Sequence, residues 1–251
     1  MAKKAFVTGG GTGIGKQIAI TLLENGYDVA VSYYSSGESI KELTKIGEQN
    51  GRRVIGIRAD ISKVFEIKNM FQSYKNEFGE KLDLFVNNAG ITLKSTFLDT
   101  TEELFDSICD VDYKGAFFCM QEAAKLMLGN GGNIILISSN NAKAHFADVS
   151  VYGSAKTAAT KLAEHIAIEL AKYNIRVNTI APGWTDTGAS RLDDKESTYY
   201  KIPLKKWVDV KEIADTVLYL DSSAANSITG ATIIMDNGAL LVSDKLERYG
   251  Y

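Results

Sequence analysis

The chain has 251 residues, 45% of them hydrophobic and 24% charged, and a formal net charge of −3. Those proportions suit a folded protein with a sizeable core and argue against disorder, and the small negative charge gives no footprint for nucleic acid or an acidic membrane. No apolar run reaches the roughly 18–20 residues that span a bilayer, and Lys3 and Lys4 have no signal core behind them before Gly9, so a cytoplasmic protein with no membrane or nucleic-acid partner is expected.

Along the chain, short β-branched runs alternate with longer helical stretches. Ala5–Thr8 reads as a first strand, after which Ile14, Ile18 and Leu22 recur at helical spacing until Asn25-Gly26 signals a stop. Further strands are predicted at Val29–Tyr33, Val54–Arg58, Leu82–Val86, Ile134–Ile137, Arg176–Ile180 and Ala231–Met235. Helices are predicted near 38–49, 63–78, 102–128, 152–173 and 209–220. Such alternation implies right-handed crossovers, hence a doubly wound α/β fold: a seven-stranded, mostly parallel sheet with helices on both faces. Only two prolines occur, Pro182 and Pro203, and nothing resembles a linker, so one domain over 1–251 is expected. The polar stretch 184–207 is the exception, a functional lid or mobile loop. Cys109 and Cys119 share a predicted helix, about 15 Å apart, too far for a disulfide. They read as buried thiols.

Between the first strand and the first helix stands a glycine turn in which Gly9, Thr12, Gly13, Ile14 and Gly15 are the candidate ligand contacts. Glycine there permits a tight turn and lets a dinucleotide's pyrophosphate approach the backbone at a helix N-terminus. The spacing Gly9-x3-Gly13-x-Gly15 differs from the general G-x-G-x-x-G, so a ligand-free turn is the plain alternative. At the end of the second strand an Asp or Glu would select NAD. Here Tyr33, Tyr34, Ser35 and Ser36 offer hydroxyls instead. With no carboxylate to repel a 2′-phosphate, NADP is favoured over NAD, although no Arg or Lys stands among these residues or in the turn.

Tyr152 and Lys156 lie one helical turn apart on the same face. A phenol ordinarily titrates near pH 10, and a neighbouring cation favours its anion, which makes such a pair usable in acid–base chemistry. With 12 Tyr in the chain, one Tyr-x3-Lys is expected by chance, so the pair alone carries nothing. Ser139 precedes it by thirteen residues, at the C-terminal end of a predicted strand. Ligands of open parallel sheets gather at that edge.

Together these features resemble the short-chain dehydrogenase/reductase family in its single-domain form of about 250 residues, over essentially the whole chain. The resemblance implies an NAD(P)-dependent oxidoreductase that moves a hydride between the nicotinamide and a carbonyl or secondary alcohol. It implies Tyr152 as general acid/base, Lys156 on the nicotinamide ribose and Ser139 orienting the substrate. Asp60 and Ile61 resemble the family's adenine contact, and the stretch Asn87-Asn88-Ala89-Gly90, with Asn87, Ala89 and Gly90 as the candidate contacts, resembles the segment that steadies the sheet and lines the cofactor site. Pro182, Gly183, Thr185 and Thr187 are similar to the segment bracketing the carboxamide. No metal is implied, and His145 and His165 show no metal-binding spacing. His145 and Trp184 are candidate substrate contacts, His165 an ordinary helix residue.

One position departs from the family. Val111-Asp112-Tyr113-Lys114-Gly115 carries Asp112 where relatives have the Asn that anchors a proton relay from the Lys to solvent. Asp keeps an acceptor oxygen, loses the N–H₂ donor and can add a charge. Asp112 carries the relay as a proton-exchanging carboxyl, is tolerated with a shifted pH optimum, or marks a weakened enzyme. The aromatic residues Trp184, Tyr199, Tyr200 and Trp207 suit a sugar, polyol, steroid or small ketone, or a lid packed on itself. A 3-oxoacyl-carrier-protein reductase is the alternative, lowered by the scarcity of cations at 128–133 and 172–174. A dinucleotide-binding regulator without turnover is the rival from another class. Relatives usually form tetramers through the helices matching 102–128 and 152–173, and a homotetramer is expected here. The tail from Leu240 to Tyr251 could join an interface or cover a neighbour's pocket.

Overall fold

The structure, a computed structural model, describes residues 2–35, 37–188, 195 and 198–241. Ser36, most of the 189–197 stretch of the predicted lid and the tail beyond Leu241 lie outside the described residues.

Seven strands form one parallel sheet: β1 (Lys3–Val7), β2 (Tyr27–Tyr33), β3 (Val54–Arg58), β4 (Leu84–Asn87), β5 (Gly132–Ile137), β6 (Ile175–Pro182) and β9 (Thr232–Met235), in the order β3-β2-β1-β4-β5-β6-β9. A further two-residue parallel pair joins β7 (Thr185–Asp186) to β8 (Val208–Asp209). The crossovers run through α1 (Gly13–Glu24), α2 (Glu38–Gln49), α3 (Val64–Phe78), α4 (Glu102–Cys109), α5 (Ala116–Met127), α6 (Ser150–Ala171) and α7 (Val210–Asp221).

Period-two alternation divides the strands between two cores. Phe6, Phe85, Ile134, Leu136 and Val177 face α3, α5 and α6. Their neighbours Val7, Val86, Ile135, Ile137 and Ile180 face α1 and α7. Burial on both faces explains why these strands read as continuous apolar runs. Phe6 stacks on Tyr74 at 5.4 Å between ring centroids and meets Phe71 at 5.1 Å, which anchors α3.

Two differences from the sequence reading bear on function. The predicted helix 102–128 is broken by a π-helical turn over Asp110–Gly115. Apolar spacing hides such a turn because each flanking helix keeps its own 3.6-residue period and only the phase between them shifts. Cys109 therefore ends α4 and is only half-buried, whereas Cys119 lies buried in α5; both thiols are free. Thr8 lies just past β1, its hydroxyl spent on backbone N–H groups beyond β4.

No helix among the described residues is long and apolar enough to cross a membrane.

Candidate active site

The strand order reverses between β1 and β4, which opens a crevice at their C-terminal ends. The glycine turn enters it from β1. Asn88 holds the turn in place: its Nδ2 donates to the Thr8 and Gly9 carbonyls at 3.0 and 3.2 Å, while its backbone N–H donates to Thr8 Oγ1 at 3.0 Å. Gly15 must lack a side chain because a Cβ there would come within 2.3 Å of the Gly9 oxygen and 2.4 Å of Asn88 Nδ2. Thr12 caps α1 in an extended conformation, yet its side chain takes no helix N–H and the first turn holds no acid. The N-terminal N–H groups of α1 are thus available to an anion.

A cleft of about 790 Å³ runs along this edge. Gly9, Thr12, Gly13 and Ile14 line it on one side, Tyr33, Tyr34 and Ser35 at the β2 end, Asp60 and Ile61 after β3, and Ala89 and Gly90 after β4. Thr187 closes over the turn and stands 3.4 Å from where a Gly13 Cβ would be. The extended shape, the glycine cradle and the uncapped helix suit a dinucleotide. Of the expected cofactor contacts, Gly15, Asn87, Tyr152, Lys156, Pro182, Gly183 and Thr185 do not line this cleft: Gly15 is buried behind it, and Asn87 is buried at the end of β4 with Oδ1 unpartnered. Within the Asn87–Gly90 stretch it is Asn88, not singled out in the sequence as a contact, that steadies the turn.

Cations also stand closer than the sequence suggested. Arg58 pairs in register with Tyr33, donates Nε to the Tyr34 carbonyl at 3.2 Å and lies 5.9 Å from the centre of the Tyr34 ring. Lys63 lines the same cleft. Only strand register reveals Arg58, which is 24 residues from Tyr34 in sequence.

Past Gly90 the cleft wall meets a buried pair. Lys156 Nζ lies 3.4 Å from Asp112 Oδ1, with the side chains 7% and 0% exposed. Asp112 Oδ1 also accepts the Ile91 N–H at 3.1 Å, whereas Oδ2 is buried without a partner. Gly90 leaves room for this: a Cβ would fall 2.5 Å from Asp112 Oδ1 and 2.8 Å from Lys156 Nζ. Burial pushes the Asp112 carboxyl above the usual carboxylate range, and Lys156 and the Ile91 N–H only partly pull it back. Burial pulls Lys156 down, but Asp112, with help from Tyr152, more than offsets it and holds the ammonium above its ordinary value. The same Nζ lies 5.7 Å from the centre of the Tyr152 ring, as expected of residues four apart on α6.

Ser139 follows β5 and is 7% exposed. The β5 end is tied to α6 through Ser138 Oγ, 2.7 Å from Thr160 Oγ1, and through Thr157 Oγ1, which donates to the Ala142 carbonyl at 3.2 Å. These bonds tie the segment that carries Ser139 to α6, the helix that carries Tyr152 and Lys156. Asn140 is buried and its Nδ2 has no partner; a Cβ on Gly183 would come within 3.1 Å of it. Pro182 ends β6, Gly183 follows, and Thr185 donates to the Gly183 carbonyl at 2.9 Å.

Trp184 stands edge-on to Phe146, with ring centroids 5.6 Å apart. Phe146 shares the exposed loop of His145 and was missed in the sequence because a lone aromatic there has no periodic signal. The ends of the predicted lid are zipped by β7 and β8, and Trp207 donates to Thr198 Oγ1 at 2.7 Å, so Trp207 packs within the segment. Asp186 pairs with Lys195, and Tyr200 is exposed. Among the described residues no group of three or more His, Cys, Asp or Glu could hold a metal.

A family model described as enoyl-(acyl carrier protein) reductase, within the short-chain dehydrogenases, matches residues 9–239. The chain belongs to the short-chain dehydrogenase/reductase family. It is a nicotinamide-dependent oxidoreductase acting on CH–OH and C=O groups. The chain is 36% identical over 244 residues to a 3-oxoacyl-[acyl-carrier-protein] reductase of Staphylococcus aureus, covering 95% of this chain and 98% of that protein. It is 34% identical over 248 residues to an uncharacterized oxidoreductase, YohF, of Escherichia coli, at 97% and 98% coverage. The solved acetoin dehydrogenase of Enterobacter cloacae superimposes with a TM-score of 0.89 at 36% identity, covering 96% of this chain and 97% of that one.

Proposed function

We propose that Tyr152 is the general acid/base, with Lys156, Ser139 and Asp112 as its supporting groups. The observation that carries this reading is the buried Lys156 ammonium, held between Asp112 and the Tyr152 ring directly behind Gly90, which lines the dinucleotide-shaped cleft. The nicotinamide, when bound, supplies or accepts the hydride. In reduction, Ser139 donates a hydrogen bond to the substrate oxygen and Tyr152 gives it a proton as charge develops. Lys156 stabilises the negative charge left on the phenol oxygen. The free Oδ2 of Asp112 and its raised carboxyl suit a group that passes a proton on, so the relay is the reading favoured for this position.

NADP is proposed over NAD. Tyr33, Tyr34 and Ser35 bring no carboxylate, while Arg58 and Lys63 bring positive charge to that end of the cleft. Arg58→Ala would weaken NADPH binding by about tenfold and leave NADH binding unchanged; equal affinities in both proteins would remove the preference.

For the substrate we propose a small hydroxyketone or dicarbonyl. The names of solved acetoin dehydrogenases support it, as does the Phe146–Trp184 ring pair, formed by the segments that follow Ser139 and Gly183, which offers apolar contact for a small substrate. NADPH and NADH oxidation at the nicotinamide absorbance, against diacetyl, acetoin, an aldose and an acetoacetyl thioester, tests it. Turnover of the thioester alone would put the acyl-carrier reading first, and cofactor binding without turnover of any substrate would favour a regulator.

A cytoplasmic homotetramer is the proposed assembly. Phe117, Met120, Leu128 and Ile166 line an apolar groove between α5 and α6, with exposed Phe105 and Ile168 on the same helical layer. Light scattering at a tetramer's mass supports it; a monomer overturns it.

A further inference from the structure

A serine hydroxyl has one proton to give and two lone pairs with which to accept. At Ser139 both accepting positions are filled by the same neighbour. The Asn141 backbone N–H donates to Oγ at 3.2 Å, and Asn141 Nδ2 donates to it at 3.2 Å as well. The same Nδ2 also lies in hydrogen-bonding reach of Asn140 Oδ1, which accepts from it at 3.4 Å, and Asn140 is 3% exposed. Among the described residues no hydrogen bond uses the Ser139 proton.

We propose that Asn141 is a positioning residue that makes Ser139 a hydrogen-bond donor only. With both lone pairs occupied, the hydroxyl can take part in one further bond, and only by giving its proton. The carbonyl oxygen of a substrate gains negative charge during reduction, so a committed donor stabilises the transition state more than the ground state. A serine free to accept would divide its time between donating to substrate and accepting from water. The inference rests on the reading of Ser139 as the substrate-orienting hydroxyl.

Asn141→Asp tests it with an isosteric side chain. At neutral pH the carboxylate offers an acceptor in place of the Nδ2 donor and captures the Ser139 proton. The expected result is a fall in kcat of about 10- to 100-fold, with the KM for the cofactor and the thermal midpoint unchanged. The ratio of variant to native kcat then climbs as pH falls and the new carboxyl regains a proton to donate. In a Ser139→Ala background, Asn141→Asp changes nothing further, because the two act as one unit. Native kcat in Asn141→Asp, beside a disabled Ser139→Ala, overturns the proposal alone: the amide would then be presenting its oxygen to Ser139. An equal loss in both backgrounds also overturns it. Near-native kcat in Ser139→Ala overturns the underlying reading of Ser139, and the proposal with it.

Discussion

Asp112 and Asp221 are both buried carboxylates that face a lysine, at opposite edges of one sheet. At the N-terminal edge, Asp221 ends α7 and both its oxygens are used. Oδ2 accepts from Lys3 at 2.9 Å and from the Tyr27 hydroxyl at 2.5 Å, and Oδ1 faces Asn133 Nδ2 at 3.4 Å. Arg176 joins the group through the Leu220 carbonyl. At the C-terminal edge, Asp112 shares Oδ1 between Lys156 and Ile91 and leaves Oδ2 with nothing. Asn87 Oδ1 and Asn140 Nδ2 are left over at that same edge. One edge spends most of its polar groups on holding strands and helix ends together, and among the described residues it leaves Asn133 Oδ1 and, at the start of β9, Thr232 Oγ1 unpaired. The other keeps several in reserve. A buried polar group without a partner is destabilising, and this reserve coincides with the site proposed above for ligand, substrate and proton.

The sharpest way to break this contrast is through its two tyrosines. Tyr152→Phe removes the proposed proton donor, and kcat should fall by about 10²- to 10⁴-fold while the thermal midpoint stays near native. Tyr27→Phe should do the reverse. Its hydroxyl donates to a carboxylate in a site where Tyr27 is 7% exposed. Burial first, and Asp221 next, hold that phenol far above its ordinary value, so it stays a neutral donor. Its loss should cost about 2 kcal/mol of stability, read in urea unfolding, with kcat unchanged. A Tyr27→Phe protein that loses turnover, or a Tyr152→Phe protein that keeps it, would erase the distinction.

The two edges were not equally legible in the sequence. Tyr152 and Lys156 could be placed together because four residues of helix bring side chains to one face, and the C-terminal edge could be assigned because every strand–helix unit delivers its loop there. The parallel order followed from crossover length and handedness. What stayed hidden depends on register or on a local change of period. Asn88 rather than Asn87 reaches the glycine turn because β4 ends at Asn87, one residue later than the apolar run. Arg58 reaches Tyr34 across two strands. Asn141 reads as a polar loop residue until its amide is seen on Ser139. The knot around Asp221 joins residues up to 218 apart, none with a motif of its own.

The aspartates give the third test, in the shape of a profile rather than its height. Asp112 carries a carboxyl raised by burial, so in the native enzyme the acidic limb of activity should lie above the usual carboxylate range. Lys156 is held protonated chiefly by Asp112 against the pull of burial. In Asp112→Asn the acidic limb should vanish. The alkaline limb should move to lower pH, because a buried lysine without its counter-ion gives up its proton sooner. Cofactor affinity at neutral pH should be nearly unchanged. An identical pH–rate profile would reduce Asp112 to a packing residue and make it the equal of Asp221.

The smallest expected effect comes from the lysine at the structural edge. Lys3 makes the same type of bond to Asp221 that Lys156 approaches with Asp112, and at 2.9 Å it is the closer of the two. Distance is not what decides its weight. The Lys3 side chain is 53% exposed, so water screens the pair and holding the long side chain in place offsets much of the attraction. Asp221 also keeps Tyr27 and Asn133 when Lys3 is removed. Lys3→Ala should therefore cost less than about 1 kcal/mol, and the difference should vanish in 1 M salt, where the screening length falls to about 3 Å. A loss as large as that of Tyr27→Phe, persisting in salt, would mean that an ion pair rather than a hydrogen-bonded network closes this edge. Asp221 would then resemble Asp112 in depending on a single cation.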